Sequence, residues 1–325
     1  MTTLAILHPT HLVATELRET LEQRRELWRS LRLLTTDEEE AGTLLEARGE
    51  ATVVAQVEDG AFDGVDVALF FGHPDTYRAL LDDLPASTRA IVVAGDAADV
   101  PGRPWLSGLS AEHGAIDGPI LHPHPAAIAV AHLLHPLRQL GLVRASATIL
   151  EPTSVYGKAG LDELLDQTRD ILSFQGRAER DVLPAQLAFN VLQPPGRSAG
   201  IEAQARAVLG ADDLPLSVQR LSAGVFHGYG VSLHGEIDPD RVDGDLATVV
   251  AETLETHSVL DFAVDPELLG PVDVAARDEI LVAEVRADAF VPGGFTLWAV
   301  MDNLTVGGST NLIALIEGLT GTAAG

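Results

Sequence analysis

Cysteine is absent from all 325 residues. Whatever fold the chain adopts, that absence excludes disulfides, thiolate metal ligands and a cysteine nucleophile. Lysine is almost absent as well, Lys158 being the only one, and 48 acidic side chains stand against 21 basic ones for a formal charge of −27. So negative a chain repels phosphate backbones and anionic lipid surfaces, which argues against nucleic-acid and membrane partners. No stretch approaches the roughly 18 to 20 uninterrupted apolar residues of a membrane span, and the opening "MTTLAILHPTH" has neither a basic region nor a cleavage site. A globular cytoplasmic protein is expected, and an apolar content of 46% over this length supplies core enough for two domains.

What is present is a change of pattern along the chain. The first third alternates short apolar runs ("TLAIL", "TVVAQV", "VDVALFFG", "RAIVVAG") with helical stretches such as "VATELRETLEQR". Buried runs of four to eight residues separated by helices predict a parallel sheet wound with helices, a Rossmann-like α/β domain. From "ASATILEPTS" onward the strands are longer and alternate, some joined without a helix ("VQRLSAGVFHGYGVSLHGEI", "GFTLWAVMDNL"), which predicts an α+β domain on a mixed sheet. The last segment, "GGSTNLIALIEGLTG", reads as one amphipathic helix with a Ser-Thr cap. The boundaries implied are 1–125 for the first domain, 126–306 for the second, and a helix at 307–325 that returns to the first.

Three runs that read as the ends of buried strands close on His-Pro: His8-Pro9, His73-Pro74 and His122-Pro123-His124-Pro125. The carboxyl ends of parallel strands are the usual ligand crevice of such a sheet. Five imidazoles there, His8, His11, His73, His122 and His124, would suit a divalent transition metal such as zinc, nickel or copper. The spacings match no diagnostic metal signature. The alternative is that these rings hydrogen-bond to loop carbonyls in a cleft that holds no ligand.

"ASATILEPTSVYGKAGLDELLDQTR", "LAFNVLQP", "VFHGYGVSLHGEI" and "MDNLTVGGSTNLIALIEGL" together resemble, in order and spacing, four segments of the aspartate-semialdehyde dehydrogenase family; "DGVDVALFFG" resembles a fifth more loosely. The resemblance implies a nucleotide-binding domain, a dimerising α+β domain inserted after the catalytic loop, and a final helix that rejoins the first domain. It also implies a reaction by cysteine thiolate, histidine acid/base and a nicotinamide cofactor. This chain departs from the pattern at each of those points. Pro125 stands at the nucleophile position, Tyr229 at the histidine with His227 two residues away, Ser222 at the substrate-binding arginine with Arg220 nearby, and Glu151 at the active-site glutamine. In the family that arginine precedes the histidine by seven positions. The glycines of the phosphate turn are replaced by His8, His11 and Ala14, whose side chains enter space a pyrophosphate would use. Asp37, Glu38, Glu39 and Glu40 follow the second strand where the family reads a 2′-phosphate, a run expected to repel phosphate from a solvated face. Gly307, Gly308 and Asn311 persist as a remnant of the cofactor site or simply as the cap of the last helix.

These readings leave three functional expectations. The first is a family member without dehydrogenase activity and without a bound cofactor, a homodimer serving assembly, regulation or ligand binding, or a heteromer with a catalytic paralogue. The second is a metal-binding protein or enzyme using the histidine-lined crevice. The third is residual NAD(P)-dependent semialdehyde oxidoreductase activity. Fold alone does not choose among them.

Overall fold

The computed structural model describes residues 2–95, 100–110, 117–174, 181–194 and 198–321, and the chain divides into two compact units, Met1–His124 with Gly308–Gly325, and Pro125–Gly307.

In the first unit β1 (Thr3–Leu7), α1 (Leu12–Gln23) and β2 (Ser30–Thr35) open the chain. A short hairpin of β3 (Leu44–Ala47) and β4 (Glu50–Val53) runs into the edge strand β5 (Ala55–Gln56). Then come β6 (Val67–Phe70), α2 (Arg78–Asp82), β7 (Arg89–Val93), β8 (Arg103–Pro104) and β9 (Ile120–His122). The sheet order is β5-β2-β1-β6-β7-β9-β8 with every pair parallel, as the strand–helix alternation predicts. β6 and β9 are buried throughout and β1 and β7 in four residues of five, which is why they read as unbroken apolar runs rather than alternating ones. Leu7, Phe70, Tyr77, Val92 and Leu121 share one core cluster. The terminal helix α7 (Thr310–Thr320) belongs to this unit and meets α1 through an Arg24–Glu317 ion pair.

The second unit begins at Pro125, the first residue of α3 (Pro125–Leu134), where proline's missing N–H costs nothing. It continues with β10 (Leu142–Glu151), α4 (Gly157–Leu172), β11 (Val191–Leu192), α5 (Ala199–Leu209), β12 (Leu216–Ala223) and β13 (Tyr229–Ile237). α6 (Leu246–Glu255), β14 (Leu260–Phe262), β15 (Ile280–Val282), β16 (Arg286–Ala287) and β17 (Gly294–Met301) complete it. The order is β11-β12-β10-β13-β17-β15-β14, with β16 paired to β17; β10 runs parallel to β12 and antiparallel to β13. The mixed sheet expected from the longer strands is therefore present. Its inward residues pack under helices, while Ser146, Gln219, His234 and Trp298 lie on the other, open face. Two glycines of β13 seat aromatic rings of β17: a Cβ at Gly230 would come within 2.3 Å of Trp298, and one at Gly235 within 2.3 Å of Phe295. Among the described residues no helix is long and apolar enough to cross a membrane.

Candidate functional site

The turn after β1 is built on His8, whose φ of 58° lies in the left-handed region that ordinarily asks for glycine. The backbone thus keeps the glycine-type conformation while carrying an imidazole. That ring reaches toward β2: its Nδ1 lies 2.9 Å from Glu40 Oε2 and its Nε2 3.1 Å from Thr36 Oγ1. Glu40 also accepts the Thr10 backbone N–H (3.0 Å) and hydroxyl (2.6 Å) on Oε1, and the Thr35 hydroxyl (2.6 Å) on Oε2. Burial by itself would raise the Glu40 pKa; the hydrogen bonds from His8, Thr10 and Thr35 outweigh it and hold the carboxyl at about 2. The expectation of a uniformly solvated acidic run is corrected here. Asp37, Glu38 and Glu39 are exposed, but the Glu40 side chain is only 8% exposed, drawn inward by four donors. A dinucleotide pyrophosphate does not suit this turn, because its donors already hold a carboxylate and a ring stands where glycine would give clearance.

The other histidines of this unit have separate local employments. His11 caps α1, its Nδ1 accepting from Val13 N (3.3 Å), and lies against Phe71 with ring centroids 5.5 Å apart; burial lowers its pKa to about 4. His73 caps a 3-10 turn by accepting from Asp75 N, with its side chain 63% exposed. His122, at the end of β9, is buried and donates from Nε2 to the Gly308 carbonyl (3.0 Å), and burial lowers its pKa to about 4. His124 is buried too. Among the described residues no group of three or more His, Asp or Glu side chains is arranged to hold a metal ion, so the five rings do not come together as ligands. The remnant positions have packing reasons: Asn311 bonds Ser107 N and Trp105 O, Gly308 receives His122, and a Cβ at Gly307 would meet Met301 and Pro125. Ala14 is a buried residue of α1.

In the second unit Glu151 ends β10 and pairs with Arg220 of β12, Nε to Oε1 at 2.8 Å, with side chains 0% and 8% exposed. The parallel register places Ile149 beside Arg220 and Glu151 beside Ser222, so the two charged chains lean toward each other across two adjacent strands. Sequence reasoning took Ser222 and Tyr229 as the arginine and histidine positions, and both are buried. Arg220 is buried in β12 as well, and His227, seven residues on, is exposed in the following loop. The loop is held by Asn303, which accepts Gly228 N (3.0 Å) and donates to Ser154 Oγ (3.1 Å). Pro125 offers no nucleophilic atom, and the chain holds no thiol to replace it.

An imidazole cluster that the sequence did not suggest lies elsewhere in the same unit. His132 Nδ1 is 3.2 Å from His257 Nε2, and the His135 ring stands edge-on to His257 with centroids 5.7 Å apart. Burial, then the neighbouring rings His257 and His135, lower the His132 pKa to about 3. His257 is lowered by burial and then His135, and His135 by burial and then Arg138.

Comparison with known structures defines the fold first. A crystal structure of aspartate semialdehyde dehydrogenase II complexed with ASA from Vibrio cholerae superposes with a TM-score of 0.86, covering 100% of this chain and 99% of that one at 23% identity. Among sequences, an aspartate-semialdehyde dehydrogenase of Rickettsia bellii is 24% identical over 284 residues, 83% of each chain. A USG-1 protein homolog of Pseudomonas aeruginosa is 28% identical over 303 residues, 87% of this chain and 88% of the relative. The family model described as semialdehyde dehydrogenase, dimerisation domain, matches residues 134–306, more than half of the chain. The protein belongs to the semialdehyde dehydrogenase family.

Proposed function

We propose that this chain is a family member without dehydrogenase activity, in which the dimerising unit is retained for assembly, regulation or the binding of another ligand. The observation that carries the reading is Pro125 at the nucleophile position in a chain with no cysteine anywhere. Covalent capture of an aldehyde or acyl phosphate needs an atom that can attack and later leave, and thiolate does both far better than any hydroxyl without an adjacent base. Two further features agree. The phosphate turn is filled by His8 and Glu40, and the buried arginine that could meet a substrate carboxylate is already engaged by Glu151. We infer a homodimer through the open face of the eight-stranded sheet, where two depressions share His234 and where Ser146, Gln219 and His234 are exposed.

The test is turnover with aspartate semialdehyde, phosphate and either nicotinamide cofactor, beside a cysteine-bearing relative. No hydride transfer above background is expected. A rate within a factor of about a thousand of the relative, some 4 kcal/mol in barrier, would overturn the reading.

A further inference from the structure

The Glu40 carboxylate receives four hydrogen bonds. A carboxylate offers about four lone-pair positions. Here Oε1 receives the Thr10 N–H and hydroxyl, and Oε2 receives the Thr35 hydroxyl and His8 Nδ1. The proton assignment is self-consistent. Thr36 can give its hydroxyl proton to His8 Nε2, which leaves the ring's own N–H on Nδ1 to donate to Glu40. Four donors from two separate segments, the turn after β1, whose His8 is held at a positive φ, and the end of β2, converge on one anion. Nothing about chain connectivity demands that the anion be Glu40, which arrives from a loop 32 residues downstream of His8.

We propose that Glu40 is the resident anion of this turn, the chain's own carboxylate holding a seat that otherwise takes a small tetrahedral oxyanion, so that the turn is closed to phosphate-bearing ligands. This rests on and deepens the non-catalytic reading. The turn has not lost its capacity to bind an anion; it has been occupied from within. Arg18 of α1 reinforces the seat, its Nε donating to the Pro9 carbonyl of the same turn, while the exposed Asp37, Glu38 and Glu39 surround it with negative charge. A tethered carboxylate has no translational freedom to lose, so it outcompetes a dissolved anion of similar chemistry.

The experiment uses the full chain as wild type, Glu40→Ala and Glu40→Gln, with inorganic phosphate titrated by calorimetry at fixed ionic strength and chloride as control. Glu40→Ala empties the seat and is expected to bind phosphate at least about tenfold more tightly than wild type. Glu40→Gln keeps the bulk and an acceptor oxygen, and is expected to remain as closed as wild type. Adding His8→Ala to Glu40→Ala should abolish the gain. A Glu40→Ala protein that is folded by circular dichroism and binds phosphate no better than wild type overturns the proposal. Should that variant not fold, nitrogen NMR of the wild-type His8 ring decides: the Nδ1–H tautomer is required, and an Nε2–H tautomer refutes it. Dehydrogenase turnover by the wild type would sink the non-catalytic reading and the closure of the turn together, whereas a failure to gain phosphate binding would sink this inference alone.

Discussion

Replacing Arg220 by alanine leaves Glu151 as a fully buried carboxylate without its guanidinium, and the structure sets the size of the penalty. The pair is 0% and 8% exposed with a 2.8 Å contact, so solvent screening is slight. At an effective dielectric constant of about 20, opposite charges about 4 Å apart attract by roughly 4 kcal/mol. Measured losses on removing one partner of a buried pair run about 3–5 kcal/mol, because the survivor keeps its desolvation cost. For a unit the size of Pro125–Gly307 this corresponds to a fall in melting temperature on the order of 10 °C. Chemical denaturation of wild type, Arg220→Ala, Glu151→Ala and the double variant Glu151→Leu/Arg220→Met, followed by a probe in the second unit, measures it. Each single change is expected to cost about 3 kcal/mol or more, and the double change less than either, since apolar groups of similar volume bury no orphaned charge. A loss below about 1 kcal/mol for Arg220→Ala, or a double variant as poor as the sum of the singles, would refute the buried pair as described.

The imidazole cluster predicts an acid-labile second unit. His132 is neutral in the folded chain down to about pH 3, whereas an unfolded histidine protonates near 6.5, so the unfolded state binds more protons and stability falls as pH drops below 6.5. His132→Leu should reduce the loss between pH 7 and pH 5 by about 2 kcal/mol in denaturant titrations, with His11 and His122 still contributing their share; an unchanged pH slope would disprove the cluster. Light scattering at micromolar concentration is expected to return a mass near twice 34.3 kDa, and a monomer mass would remove the dimer proposal.

Composition and local pattern were enough for everything that depends on which atoms the chain possesses. No fold can supply a thiol that is missing, so the consequence of Pro125 follows from the letters alone. The apolar periodicity was likewise enough for a parallel sheet followed by a mixed one, because burial on both faces or on one face writes a different alternation into the strands. Tertiary structure decided which charges meet. Glu40 sits in a run of acids indistinguishable from its neighbours, and only the positive φ of His8 and the position of Thr10 and Thr35 select it to turn inward. Glu151 and Arg220 are 69 residues apart, and their pairing exists only because β10 and β12 lie side by side in parallel. His132 and His257, 125 residues apart, form a contact for which no sequence spacing could speak. Periodicity reports how a segment meets its own surface; ion pairs and ring contacts between distant segments are set by register and packing, which appear only once the sheets are assembled.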